Sequence, residues 1–137
     1  MGRILAVDYG LKRTGLAVTD PLQIIATSLD AIETTKVIPF LKQYFSGEKV
    51  DAMVIGMPKR MDNSDSEIVP AIRQFIEKLR FEFPGLVIHQ VDERFTSKIA
   101  QRAMIDGGMK KKDRRIKGNV DKISATLILQ TYMESKA

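Results

Sequence analysis

Two strand-like runs, Val50 to Gly56 (VDAMVIG) and Leu86 to Val91, enclose a helical stripe, and that order restricts the fold more than any other feature of the chain. The stripe is Ile68, Ile72, Phe75, Ile76, Leu79 and Phe83, apolar at helical spacing. A strand, helix, strand succession places two neighbouring strands in one sheet with the helix on its face. Ahead of it, Arg3 to Asp8 (RILAVD) and Gly15 to Thr19 (GLAVT) flank the turn-rich Tyr9 to Thr14, which predicts a hairpin. Gln23 to Leu29 extends the meander. A helix is expected over Thr34 to Phe45, although Pro39 falls in its first turns. Another runs from Thr96 or Ser97 to the stop at Gly107 and Gly108, and a last one from Asn119 to Met133. That last helix is apolar on most of its circumference, so deep burial is expected. The sum is an α/β fold, a five-stranded mixed sheet flanked by helices.

The 137 residues suffice for a single domain over 1–137 and leave no room for a second. The longest uncharged stretch, Ile123 to Met133, is half of the roughly 20 residues that a membrane-crossing helix needs. The chain has no cysteine, and the apolar start is broken by Asp8, against a secretory signal. A cytoplasmic protein is the expectation.

Charge is unevenly placed. The net charge is +5, and the segment Lys110 to Lys117 (KKKDRRIK) carries that whole excess, with Lys110, Lys111, Lys112, Arg114, Arg115 and Lys117 against Asp113. Such a block is the electrostatic footprint of a polyanion partner, or else a solvated loop. Acidic residues cluster elsewhere. Asp8 ends the first strand, Asp92 and Glu93 end the fifth, and Asp121 opens the last helix after the basic block. Open α/β sheets bind ligands at the carboxyl ends of their strands, which is where these carboxylates converge. Each alone is explained by a turn or a helix end; together they repel unless cations neutralise them. With no cysteine and His89 as the single histidine, an oxygen-only site suits Mg²⁺ or Mn²⁺. His89 lies mid-strand and reads as a packing residue. A two-metal carboxylate site beside a basic loop fits phosphodiester hydrolysis. In the fifth strand, alternation alone leaves open whether Asp92 or Glu93 faces the site.

Four segments carry a family resemblance: VDYGLKRTGLAVTD (Val7 to Asp20), IGMP (Ile55 to Pro58), VDERFTS (Val91 to Ser97) and KGNVDKISATLILQ (Lys117 to Gln130). In this order, across nearly the whole chain, they resemble the YqgF family, also called RuvX. The resemblance implies a ribonuclease H-like fold related to the Holliday junction resolvase RuvC, and an endonuclease that processes the 5′ end of precursor small-subunit ribosomal RNA. It implies Asp8, Glu93 and Asp121 as catalytic and metal-holding residues, with Asp92 a secondary candidate. Nucleic acid is then expected to meet Lys12, Arg13, Arg94 and the six cations of Lys110 to Lys117. Two departures stand out: Asn63 follows Asp62 where the family usually has glycine, and Ser124 replaces an alanine. Alternatives are a Holliday junction resolvase acting in DNA recombination and repair, and a non-catalytic RNA-binding protein. A phosphate-binding hairpin of the sugar-kinase type is disfavoured, because such enzymes need two such domains. Oligomeric state, monomer or weak homodimer, separates junction from RNA substrates, since a junction offers two symmetric strands. Tyr9 and Phe95 flank the expected site as candidates for stacking an unpaired base.

Overall fold

Three strands form an antiparallel meander, β1 (Arg3–Asp8), β2 (Arg13–Thr19) and β3 (Ala26–Glu33). A 3-10 turn (Thr34–Lys36) leads into α1 (Val37–Gly47), and β4 (Val50–Met57), α2 (Ile68–Glu82), β5 (Val87–Asp92) and α3 (Lys117–Lys136) follow. This computed structural model describes residues 2–57, 68–92 and 117–136. The sheet order is β3-β2-β1-β4-β5, with β4 parallel to both β1 and β5, so the mixed five-stranded sheet expected from the sequence is present. The helix expected after Thr96 lies outside the described residues.

β1 sits at the centre of the sheet and is covered on both faces, which is why its interior reads as the unbroken run Ile4 to Val7. Leu5 and Val7, with Leu16, Met53 and Ile55, pack against Val37 and Leu41 of α1 and the stripe Ile72, Phe75, Ile76, Leu79 of α2. Ile4, Ala6, Ala17 and Val54 face the other way, onto Ala125, Ile128, Leu129 and Tyr132 of α3. Ala6 and Ala17 are directly paired across β1 and β2, and with Ala125 they let α3 approach the sheet closely. Each fully buried large side chain, such as Leu5 or Ile55, contributes about 1.5–3 kcal/mol.

Several expected boundaries shift. β3 runs on to Glu33, past the Leu29 limit, because the β2/β3 register slips between Leu16 and Ala17. Leu16 pairs with Asp30 and Ala17 with Ser28, so Leu29 is an extra residue and packs with Ile32 on the α1/α2 face. A bulge of this kind breaks the period of two that marks a strand in sequence. Pro39 is accommodated as the third residue of α1, where its missing N–H leaves no helical bond unmade. The last helix, expected to be largely buried, is one-sided over its described side chains: Ala125, Ile128, Leu129 and Tyr132 are buried, Leu127 is half-buried, and Gln130 and Thr131 are exposed. Among the described residues no helix is long and apolar enough to cross a membrane.

The β2–β3 turn is held by one carboxylate. Asp20 accepts the backbone N–H groups of Leu22 (3.1 Å), Ile24 (2.8 Å) and Ile25 (2.7 Å), while Gln23, at φ 61°, donates from Nε2 to the Gly2 carbonyl at 2.7 Å. The bond from Ile25, with those from its neighbours, holds the Asp20 carboxyl below its ordinary value of 3.8. A depressed folded-state pKa gives stability that is complete above 3.8 and lost as pH falls below it through the folded value. Asp20→Asn keeps one carbonyl acceptor but cannot titrate. Its urea midpoint is therefore expected to lie below that of the parent chain at neutral pH, with the gap narrowing at pH values under 3.8. A constant gap across that range refutes the assignment.

Candidate active site

Asp8 is the last residue of β1 and half-buried at the carboxyl edge of the sheet. Alternation along β1 puts Ile4, Ala6 and Asp8 on the α3 side. Across the antiparallel pair, Asp8 is opposite Gly15. On the other side, β1 and β4 match Val7 to Ile55, and the next step of that parallel register sets Gly56 beside Asp8. Asp8 thus ends the central strand with a glycine, which bears no side chain, beside it on each neighbouring strand. Gly56 in turn pairs with Val91 of β5, whose α3 side is marked by Val91 and by His89. Strands in a sheet are about 4.8 Å apart, so β5 lies about 10 Å from β1 across this floor.

The loop after Asp8 is pinned by two threonines. Thr34 donates its hydroxyl to the Gly10 carbonyl at 2.6 Å. That commits its single proton, so the 2.9 Å contact between Thr14 and Thr34 must have the buried Thr14 as donor. The Thr34 N–H also donates to the Lys12 carbonyl at 2.9 Å. Gly10 is required on steric grounds, since a Cβ there would meet the Arg13 carbonyl oxygen at 2.3 Å. Tyr9, one residue past Asp8, turns to the opposite face, its ring centroid 4.8 Å from that of Phe75.

α3 has a definite direction relative to this edge. Its C-terminal residues Gln130, Met133 and Glu134 border a cavity with Ile24, Ile25 and Ala26 at the β2–β3 turn. That turn lies at the opposite edge from Asp8, because Thr19 at the end of β2 accepts the N–H of Ile4 at 2.9 Å. The N-terminal turns of α3, with positions 117 and 121, therefore point toward the Asp8 edge. Position 121 is four residues, about one turn, ahead of the buried Ala125.

Of the residues singled out in the sequence, Asp8 has a described place, and Lys12 and Arg13 are exposed in the hairpin that follows it. Asp92 is the last residue of β5, paired with Met57. Asp92, Lys117 and Asp121 are placed by their backbone only, and Glu93, Arg94, Phe95, Lys110, Lys111, Lys112, Arg114, Arg115 and the Asp62–Asn63 turn lie outside the described residues. Among the described residues there is no group of three His, Cys, Asp or Glu side chains able to hold a metal. His89 packs its ring 4.9 Å from that of Tyr132, as a packing residue would, and Ser124 is buried. Sequence reasoning missed the glycines beside Asp8 and the Thr14–Thr34 pair. Both emerge only from strand register, which no local pattern encodes.

The chain matches the RuvX family, described as Holliday junction resolvase, over residues 2–135. It is 53% identical over 133 residues to the "Putative pre-16S rRNA nuclease" of Christiangramia forsetii, covering 97% of this chain and 98% of that one. The protein of the same name from Bacteroides thetaiotaomicron is 51% identical over 136 residues, 99% of each. In fold, the chain is similar to Thermus thermophilus RuvC in complex with a Holliday junction substrate, at TM-score 0.61 and 14% identity, covering 100% of this chain and 98% of that one. It is also similar to the Fowlpox virus resolvase bound to Holliday junction DNA, at TM-score 0.55 and 17% identity, with 98% of both chains covered. These likenesses establish the ribonuclease H-like fold.

The threonine pair yields a direct test. Thr34→Val removes the donor to Gly10 and the acceptor of the buried Thr14 hydroxyl at nearly constant shape, which is expected to cost about 1–3 kcal/mol. Gly10→Ala, which forces the hairpin open against Arg13, is expected to lower any activity at this edge further than Thr34→Val does. Chemical denaturation reads the first, and an unchanged unfolding midpoint in Thr34→Val would show that the pair does not hold the loop.

Proposed function

The chain belongs to the RuvX family, and on that premise we propose that it is a metal-dependent endonuclease whose substrate is the precursor of 16S ribosomal RNA, cut to mature its 5′ end. Residues 1–137 act as one nuclease unit. The observation that carries the reading is Asp8 at the carboxyl end of the central strand, with glycines, Gly15 and Gly56, as its neighbours on both flanking strands. Strand neighbours without side chains take up less of the space beside a carboxylate than larger residues would, which suits the approach of hydrated cations and a phosphate.

Glu93 and Asp121 complete the acidic set in this reading. With His89 and Val91 on the α3 side of β5, alternation puts position 92 on the other side, which leaves Asp92 a secondary candidate, while Glu93 is taken from the family resemblance. Position 121 precedes Ala125 by one turn at the end of α3 directed to the same edge. All-oxygen donors fit Mg²⁺ or Mn²⁺ and exclude softer metals. When bound, a pair of such ions supplies an activated water and stabilises the attacking and leaving oxygens of a phosphodiester. The chain's own part is to hold three carboxylates together, which repel when no cation is present, and to fix the strand's phosphates. Lys12 and Arg13 in the hairpin, Arg94, and the block from Lys110 to Lys117 (Lys110, Lys111, Lys112, Arg114, Arg115 and Lys117) serve as phosphate contacts. A chain that matures ribosomal RNA acts in the cytoplasm, and one active site per RNA end suffices, so a monomer or weak homodimer is adequate.

RNA is favoured over a four-way DNA junction because relatives about half identical over nearly the full length carry the ribosomal RNA name, whereas the junction-bound neighbours are 14% and 17% identical. Junction resolution remains the second reading, from the description of the family itself.

Asp8→Asn is expected to keep the fold and abolish cutting of pre-16S RNA. Losing even an outer partner of a metal ligand costs about 10–100-fold, and losing a ligand costs more. The assay compares purified parent and variant with Mg²⁺ or Mn²⁺ on pre-16S RNA and on a synthetic junction. Equal RNA cleavage by both would sink the assignment of Asp8, and symmetric junction cutting with intact RNA would favour the second reading. Changing all six cations of the basic block to Gln is expected to flatten the dependence of log affinity on log salt by about 0.7 per lost phosphate contact on single strands. A slope that does not move would make the block a solvated loop.

A further inference from the structure

On the face of the sheet opposite the Asp8 carboxylate, a cavity of about 220 Å³ opens beside the residue that follows it. Tyr9, Leu11 and Ile38 form its apolar wall, and Thr35, Gln74 and Lys78 bring polar groups to it. It is smaller than the roughly 300–1,000 Å³ of pockets for drug-sized ligands, so it suits one planar ring system and not a duplex. We propose that this cavity is a subsite for a single unpaired nucleobase of the RNA strand, flanking the phosphate that is cut at Asp8.

The cavity offers the three things such a base requires. Tyr9 presents an aromatic surface that is already fixed, because its ring packs at 4.8 Å and a 38° tilt against Phe75. Gln74 carries both a donor and an acceptor, the pair needed at a base edge, and among the described residues its amide is engaged by no hydrogen bond. Lys78 supplies a cation for an adjoining phosphate. Its acidic neighbours are engaged elsewhere, Glu77 with Arg80 at 2.8 Å and Glu82 with Lys42 at 2.8 Å, and Lys78 has no carboxylate partner among the described residues. The nearby Thr34 hydroxyl is committed to Gly10 and shapes the wall rather than reading the base. Leu11 is 53% exposed, an apolar side chain at the cavity mouth that a seated base would cover. Tyr9 and Asp8 are consecutive, so a strand that crosses the sheet edge reaches both sites within one or two nucleotides. Only a single-stranded region can splay a base into such a site, which makes the cavity a selector for unpaired RNA.

The inference rests on the RNA nuclease reading for its substrate, and the experiment separates the two. A short single-stranded RNA from the 5′ side of the pre-16S sequence is prepared with one abasic position moved stepwise along it, and binding is measured without divalent cation so that catalysis plays no part. The parent chain is expected to lose about tenfold in affinity at one position and little elsewhere. The double variant Gln74→Ala, Lys78→Ala alters two exposed positions of α2 with a good helix former, so its fold is retained. Its penalty at that position is expected to fall to about twofold or less, as coupled groups require. No sensitive position, or an equal penalty in parent and variant, overturns the subsite, and a pocket for free nucleotides would give that same flat profile. A chain that cuts RNA yet shows the flat profile retains its nuclease reading and loses the subsite. One that fails to cut RNA while the penalty tracks the variant does the reverse.

Discussion

Everything in this molecule depends on β1 being hydrogen-bonded on both edges and covered on both faces. Its two neighbours run in opposite senses, β2 antiparallel and β4 parallel, which fixes the register of the sheet from its middle outward. Because side chains alternate, Leu5 and Val7 commit one face to α1 and α2, while Ile4 and Ala6 commit the other to α3. A slip of one residue would exchange those sets and drive Asp8 toward the α1/α2 core, an arrangement costly for a carboxylate. The same packing that stabilises the sheet therefore decides on which side the first candidate ligand appears.

The fold was largely legible in the sequence because its signals are local. The stripe through Ile72, Phe75, Ile76 and Leu79 is buried as its spacing requires, and Arg3 to Asp8 is a strand with the expected ends. What failed to show depended on partners. The bulge at Leu29 hid the last part of β3, since an edge strand with an extra residue loses its alternation without losing its pairing. The last helix looked apolar on most of its circumference, yet its seat on Ala6 and Ala17 buries one stripe and leaves Gln130 and Thr131 in water.

The candidate site was legible in its residue types and not in its geometry. A carboxylate at the end of an apolar run, as at Asp8, signals a strand end and is by itself explained by a turn; it is the set of carboxylates together that points to chemistry. The choice between Asp92 and Glu93 cannot be made from alternation without knowing which face of β5 carries α3. That depends on His89 packing against Tyr132 and on Val91 packing against the cluster that α3 covers, contacts between residues far apart in the chain. The pairing of Thr14 with Thr34 is equally nonlocal, spanning 20 residues to hold a loop of four.

Gly15 and Gly56 bring stability and function into opposition. Glycine in a strand costs about 0.5–1 kcal/mol relative to alanine, and both positions lie in strands that border the most buried one. The next α3-side residues inward, Ala17 and Val54, carry side chains and are fully buried. The glycines flank Asp8, the acidic end of β1, from the strands on either side. A methyl group at either would add stability to the strand and crowd the carboxylate. On the proposed reading, hydrated ions and a phosphate use the space beside Asp8; an inert strand end has no such need. The proposed function thus accounts for small residues beside Asp8, where strand propensity alone disfavours them.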